Sequence, residues 1–276
     1  MSLKKKILNK KKIMQTQKII DHIVNWLKDY AEKSRVNGYV IGVSGGVDSG
    51  VVSTLAAMTG LKTLLIEMPI RQKEDQVNRA WEHMNDLKSK FSNVEVMSVN
   101  LTPAFEELYT TFDVNDKEFP NEKLAFANTR ARLRMLTLYY YGQINGLLVC
   151  GTGNKVEDFG IGFYTKYGDG GVDVSPIADL YKTEVYQLAK ALNLVKNIQE
   201  AIPTDGLWDT ERTDEMQIGA TYPELEKIQK EYGTKTANDY EGRDKEVFLI
   251  FDRMHKAAQH KINPIPVCDI AEEWRG

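Results

Sequence analysis

Apolar residues recur along this chain at two alternating spacings. Ile19, Ile23, Trp26 and Tyr30 repeat at helical intervals, which predicts an amphipathic helix over about 16 to 34 that stops near Asn37-Gly38. Tyr39-Val40-Ile41-Gly42-Val43 is a short β-branched run, the mark of a buried strand. It enters Ser44-Gly45-Gly46-Val47-Asp48-Ser49, and Val51, Val52, Leu55 and Ala56 then resume helical spacing. The order is strand, glycine turn, helix. Thr63 to Met68 reads as a second strand ended by Pro69, Val77, Trp81, Met84 and Leu87 as a helix, and Val94 to Val99 as a third strand. Leu124, Ala127, Ala131, Met135 and Leu138 predict a long helix over about 123 to 142, followed by a fourth strand, Leu147-Leu148-Val149-Cys150, that breaks at Gly151-Thr152-Gly153. Strands alternating with helices pair in parallel through helical crossovers, so the predicted class is α/β, with a three-layer, mostly parallel sheet flanked by helices. Residues 101 to 120 stay unassigned. Helices at 182 to 192, 223 to 231 and 244 to 259 make a helical C-terminal part, and residues 159 to 176 and 203 to 217 are irregular. The second of these has the length and polarity of a lid or binding loop.

Composition narrows the function more than the fold. The 276 residues are 42% hydrophobic and 27% charged, an ordinary globular balance. With 36 Lys+Arg against 39 Asp+Glu the formal charge is -3, so no chain-wide positive field exists to hold a nucleic acid. No apolar run approaches the roughly 18 residues of a membrane span. Cys150 and Cys268 are too few for a disulfide framework and too far apart for a C-x-x-C motif, which fits a reducing, cytoplasmic setting. Six lysines crowd Met1 to Lys12 without the apolar stretch of a secretory signal, so residues 1–15 are expected to be a disordered basic tail ahead of one domain over 16–276.

The glycine turn carries the chemistry. In an open parallel sheet, ligands bind at the carboxyl ends of strands, where this turn falls. Gly45 and Gly46 lack a Cβ, so their amides can close on phosphate oxygens, while Ser44 and Ser49 add hydroxyl donors and the helix N-terminus adds positive potential. Asp48 is the misfit. A carboxylate among anion donors repels phosphate unless a hard cation stands between them, which implies Mg²⁺ bridging to a nucleotide. The spacing is neither that of a Walker A loop nor G-x-G-x-x-G.

At these residues the chain resembles the PP-loop of the N-type ATP pyrophosphatases, which split ATP between its α- and β-phosphates. Three further segments, Asn128 to Met135, Gly151 to Glu157 and Thr165 to Asp173, are similar to the NAD synthetase family in that order. So are Leu180-Tyr181-Lys182-Thr183, Pro203 to Trp208 and the His260-Lys261 pair, and the likeness spans about 16 to 262. The resemblance implies an adenine nucleotide alpha hydrolase-like, Rossmann-like fold and a ligase reaction. ATP, as co-substrate, would adenylate the nicotinate carboxylate of deamido-NAD, and ammonia would displace AMP to give NAD.

Carried over residue by residue, the resemblance implies that Ser44, Gly45, Gly46, Val47, Asp48, Ser49, Thr152, Lys182 and Thr204 bind ATP. Arg71 and Gln72 would lie near adenine, where the match holds only in outline. Asp48, Glu157 and Thr204 would hold Mg²⁺, and Lys182 would place a mobile charge on the departing pyrophosphate. Tyr30, Asn128, Arg132, Tyr139, Lys166, Asp169, Asp173, His260 and Lys261 would surround deamido-NAD, and Asp169 or Asp173 would take a proton from ammonium. Arg130, Arg132 and Arg134 cannot all face one ligand from a helix, and Arg132 is in register with the motif. Only 38 residues precede the first strand, too few for the glutaminase domain of glutamine-using relatives, so free ammonia is the expected donor. A homodimer is implied, and neither nucleic acid nor membrane. Two alternatives remain. Another PP-loop enzyme, GMP synthetase-like or tRNA-modifying, would share the turn, and a non-catalytic nucleotide-binding module would keep it without needing Glu157 and Lys182 in register.

Overall fold

The computed structural model of the chain describes residues 14–72, 74–112, 121–204 and 213–276. The lysine-rich tail through residue 13 and residues 205–212 of the expected lid lie outside these.

Helix α1 (Thr16–Ser34) buries Ile20, Ile23, Val24, Leu27 and Ala31, the stripe that its spacing sets against the core. It ends at Arg35 in the left-handed conformation, and β1 (Gly38–Gly42) begins three residues on. The Tyr39 hydroxyl donates to the Leu27 carbonyl at 2.6 Å, fastening α1 to the sheet and satisfying a buried phenol. The chain continues through α2 (Val47–Met58), β2 (Lys62–Glu67), α3 (Glu74–Lys90), β3 (Val94–Ser98), α4 (Thr102–Thr111), α5 (Glu122–Asn145) and β4 (Leu147–Val149). A π-helical turn, Val156–Ile161, precedes α6 (Lys182–Ala191), α7 (Lys196–Gln199), α8 (Asp214–Ile218), α9 (Tyr222–Glu231) and α10 (Gly242–Ile262).

The four strands pair in parallel in the order β3-β2-β1-β4, with Val40 of β1 opposite Leu64 of β2 and Val149 of β4. Both faces are covered, which is why the strands read as continuous apolar runs. Tyr39, Ile41, Val43 and Leu65 pack toward α1, α2, α3 and α6. Val40, Leu64, Ile66 and Val149 point the other way, against Leu101, Phe105 and α5. A third cluster joins Val156 and Ile161 of the π-helical turn to Leu225, Ile228, Phe248 and Phe251 of α9 and α10.

The order of strands fixes the site. The chain steps outward from β1 to β3 and then returns to the opposite flank of β1, so the connections leaving β1 and β4 diverge and open a crevice at their carboxyl ends. Several elements differ from the sequence expectation: the π-helical turn and α8 enter stretches expected to be irregular, and α7 is additional. Residues 102–111 form α4, with Pro103 in its first turn and Phe105 buried, a start signal that a single long unassigned stretch concealed. Cys150 falls outside the β4 ladder and makes an isolated parallel bridge with Val174.

Candidate active site

Ser44, Gly45 and Gly46 turn the chain from β1 into α2, whose first-turn amides have no intrahelical acceptor and no side-chain cap. Gly45 has φ 83, and a Cβ there would come within 3.0 Å of the Gln76 carbonyl, so the close turn requires glycine. Ser49 Oγ donates to the Gly46 carbonyl at 3.0 Å and accepts from the Ser44 amide at 3.3 Å, while Ser44 Oγ accepts from the Gly46 amide at 3.2 Å. The two hydroxyls therefore brace the turn internally. Its concave side lines a cavity of about 270 Å³.

Asp48, in the first turn of α2, meets residues from two distant segments. Lys182 Nζ, at the start of α6, donates to Asp48 Oδ2 at 2.6 Å and to Glu157 Oε1 at 3.0 Å. Its side chain is 4% exposed. Burial works against the ammonium, but the Asp48 and Glu157 carboxylates and their hydrogen bonds outweigh it and hold Lys182 above the ordinary lysine range. Burial, the largest influence, and the Glu157 charge raise the Asp48 carboxyl above its ordinary value although Lys182 pulls it down. At 2.6 Å, with the lysine held protonated, the contact is an ion pair.

Asn154, fully buried, ties the carboxylates to the loop after β4. Its Nδ2 donates to Asp48 Oδ1 at 3.3 Å, and its Oδ1 accepts from the Val156 and Glu157 amides at 3.1 and 3.3 Å. The Tyr222 hydroxyl donates to Glu157 Oε1 at 2.5 Å and lies 3.3 Å from Asp214 Oδ2. Burial, then the neighbouring carboxylates, raise this phenol far above the usual tyrosine range, so it stays a donor. Two carboxylate oxygens thus converge on one point that a single cation can touch. Among the described residues no group of three or more His, Cys, Asp or Glu could hold a metal. Two carboxylates are the donor set that Mg²⁺ takes when phosphates and water complete its shell, so these residues fit the ion.

Of the residues named from the sequence, Ser44 to Ser49, Gln72, Thr152, Glu157, Asp169, Lys182 and Thr204 line the cavity. The others do not. Arg71 is turned toward α4, where its guanidinium grips Glu106 with two 2.6 Å contacts. Asp173 accepts from the Tyr139 hydroxyl at 3.0 Å and from the Val149 amide at 2.8 Å, pinning its loop to α5 and β4. Asn128 Oδ1 accepts from Thr165 Oγ1 at 2.7 Å. Lys166 Nζ donates to the His260 carbonyl at 2.5 Å, and Lys261 Nζ donates to the Gly162 and Tyr164 carbonyls, so the end of α10 anchors the segment around Thr165. Arg132 and Tyr30 are exposed, Tyr30 resting against Trp26 on α1.

Several site residues escaped the sequence reading. Arg134 lines the cavity, donating to the Met68 carbonyl at 3.1 Å and to Gln72 Oε1 at 2.9 Å. Asp158 also faces the cavity, packed so closely on Gly153 that a Cβ there would lie 2.2 Å from its oxygens. Burial, with the Glu157, Asp169 and Asp48 charges, pushes its carboxyl up to about 8. Asn154 and Asp158 lay in or beside a recognised segment, which was the only signal for them. Tyr222 carried none beyond the Thr221-x-x-Glu224 capping pattern of its helix.

A parallel sheet whose switch point presents an amide-rich turn, a convergent pair of carboxylates and a buried lysine defines a nucleotide-binding enzyme of the α/β class. The NAD synthase family model matches residues 19–265, and the chain belongs to that family. A protein of Mesoplasma florum named NH(3)-dependent NAD(+) synthetase is 34% identical, over 91% of this chain and 96% of its own. The Carboxydothermus hydrogenoformans protein of the same name is 40% identical over 75% and 82%. Among solved structures, NMN synthetase from Francisella tularensis superposes with a TM-score of 0.81 at 30% identity, covering 93% of this chain and all of that one. The NH3-dependent NAD synthetase from Campylobacter jejuni does so with 0.73 at 25%, over 93% and 100%.

Proposed function

We propose that the protein is an ammonia-dependent NAD synthetase, a ligase that amidates deamido-NAD with ATP as co-substrate and releases AMP and pyrophosphate. The overall reaction is that of its curated relatives. The observation that carries the site assignment is the convergence of Asp48, Glu157 and Lys182 beside the phosphate turn. In this reading the turn amides hold the β- and γ-phosphates, the Ser44 and Ser49 hydroxyls exchange their internal contacts for the same oxygens, Lys182 neutralises charge on the leaving pyrophosphate, and Gln72 and Arg134 bound the adenine side. Asp48 and Glu157, with Thr204 at the cavity edge, would hold Mg²⁺, which when bound supplies charge neutralisation for the phosphates.

A nicotinate carboxylate oxygen attacks the α-phosphorus in line, forming the acyl adenylate as the bond to pyrophosphate breaks. Ammonia then adds at the acyl carbon, and AMP departs with that oxygen. Asp169 lines the cavity and is placed to orient ammonium and accept its proton, whereas Asp173 is engaged by Tyr139 and Val149. The loop from Thr165 to Val172, anchored by Lys166 and Lys261, excludes water from the adenylate.

Tyr30, Asn128, Arg132, Tyr139, Lys166, Asp173, His260 and Lys261 lie outside the cavity of one chain, and in this reading they serve the dinucleotide where two copies meet. Leu136, Tyr140 and Ile144 form an i, i+4, i+8 stripe on the outer face of α5, each 60 to 62% exposed, which supports a homodimer built on that helix. No helix among the described residues is long and apolar enough to cross a membrane, and a cytoplasmic location is part of this proposal.

The experiment is a pyrophosphate-release assay. Turnover is expected only with ATP, Mg²⁺, ammonium and deamido-NAD together, and the nucleotide product is AMP. ADP, or release without deamido-NAD, contradicts the proposal. The similarity to an NMN synthetase favours a second reading in which the corresponding mononucleotide is amidated. Nicotinate mononucleotide in the same assay separates the two by kcat/KM.

A further inference from the structure

Lys182 touches the same oxygens that a divalent ion would use. Its Nζ is 2.6 Å from Asp48 Oδ2 and 3.0 Å from Glu157 Oε1. A divalent ion on those two oxygens would meet the ammonium at close range in a poorly hydrated pocket, where like charges repel strongly. The carboxylates, for their part, cannot be left without a cation, because an uncompensated buried charge is costly. One cation or the other must be present.

The surroundings permit an exchange. The backbone at Lys182 is fixed on both sides: the Tyr181 amide donates to Glu184 Oε2 at 2.8 Å, and Thr183 donates to buried Glu226 through its amide at 2.9 Å and its hydroxyl at 2.7 Å. The four-carbon stem above that anchor is intrinsically flexible, and what holds its ammonium is contact at the tip alone: the two carboxylates and the Tyr222 ring, 4.8 Å away. Lys182 and the phosphate turn line one continuous cavity. The carboxylates, meanwhile, have other supports. Asn154 holds Asp48 by its second oxygen, and the Tyr222 hydroxyl holds Glu157, so both stay aimed at the shared point when the lysine leaves.

We infer that Lys182 is an exchangeable internal cation: it bridges Asp48 and Glu157 until nucleotide enters, then passes to the phosphates as the divalent ion takes its place on the carboxylates. The inference rests on the proposed reading of Asp48 and Glu157 as the metal-holding pair. Nucleotide gives the displaced ammonium a polyanionic partner, whereas the ion alone must drive it off both carboxylates toward single acids of the cavity wall such as Asp169 and Asp214. Metal and nucleotide therefore bind with positive coupling, and the coupling is reciprocal.

The test is Mn²⁺ binding to the full chain, followed by electron paramagnetic resonance, with and without α,β-methylene-ATP, which is not cleaved between its α- and β-phosphates. Without nucleotide, Lys182→Met is expected to bind Mn²⁺ at least about tenfold more tightly than wild type, with the advantage lost when the analogue is present. Equal or weaker binding by the variant overturns the inference. Lys182→Gln repeats the measurement if circular dichroism shows Lys182→Met to be unfolded. Wild-type protein provides an arm without substitution: the analogue should raise Mn²⁺ affinity by about tenfold or more, and independent binding overturns the inference. Asp48→Asn separates this from the underlying reading. Retention of Mn²⁺ by that variant with the analogue present contradicts the metal assignment itself, whatever Lys182→Met does.

Discussion

Along the carboxyl edge of the sheet, polar and charged side chains close on one another within a single chain: Lys182 on Asp48 and Glu157, Asn154 on Asp48, Tyr222 on Glu157. Along the outer face of α5 the picture is reversed, with Leu136, Tyr140 and Ile144 presented to solvent and Arg132 exposed beside them. The difference follows from what holds each set in place. The inner residues hang on the segments that follow β1 and β4 and on the starts of α6 and α9, which the core fixes. The outer ones stand on the back of a helix whose other face, with Ala127, Ala131 and Gly142, is buried. Damage to the inner set should therefore act on the chemical step, and damage to the outer set on assembly and on binding of the dinucleotide.

The largest expected effect comes from Asp48→Ala, which should lower pyrophosphate release on the order of 10³-fold or more in a coupled assay. Near-wild-type release would break the inner half of the comparison. Lys182→Ala should lower kcat by roughly 10²-fold. A change confined to the KM for ATP would show that the lysine only binds ground-state nucleotide. On the outer side, Leu136→Glu with Ile144→Glu should yield a single-chain species in sedimentation velocity and raise the KM for deamido-NAD about tenfold, leaving binding of α,β-methylene-ATP unchanged. An intact dimer in that double variant would place the interface elsewhere.

Two smaller effects sharpen the inner half. Tyr222→Phe removes the hydroxyl that steadies Glu157 and should weaken the apparent Mg²⁺ affinity roughly tenfold, read from the Mg²⁺ dependence of turnover. Asp158 tests the electrostatics through stability. Its carboxyl, pushed up to about 8 in the fold, lies well above the ordinary aspartate range, so between that range and pH 8 the folded state binds the extra proton and stability falls as pH rises. Asp158→Asn should flatten that dependence, raising the melting temperature by roughly 2 to 4 °C at pH 8 and leaving it near wild type at pH 4. A uniform shift at both values would indicate a packing effect instead.

Much of the fold was legible because its strands are buried on both faces and its helices on one. The Tyr39 to Val43 run and the Ile19, Ile23 spacing therefore carry their own assignments. The glycine turn was legible from Gly45 and Gly46 between a strand and a helix, and the expectation that Asp48 needs a cation beside it meets Lys182 at 2.6 Å. What could not be read was which side chains lie within reach of one another once the chain has folded. Arg134 and Arg132 sit two residues apart on α5 and face different ways, and register with a motif chose the exposed one while Arg134 lines the cavity. Tyr222 reaches Glu157 across 65 residues of sequence, and no local pattern encodes that contact. Arg71 carries the right charge for a nucleotide but is held by Glu106, whose position depends on a helix that the sequence reading left unassigned.

Transfer of a carboxylate oxygen to phosphorus is the central claim, and it can be followed with an isotope. Deamido-NAD labelled with ¹⁸O in its nicotinate carboxylate is turned over with ATP, Mg²⁺ and ammonium, and the products are analysed by phosphorus NMR. The account requires one labelled oxygen on the AMP phosphate and none in pyrophosphate. Unlabelled AMP, or a label appearing in inorganic phosphate beside ADP, would contradict it.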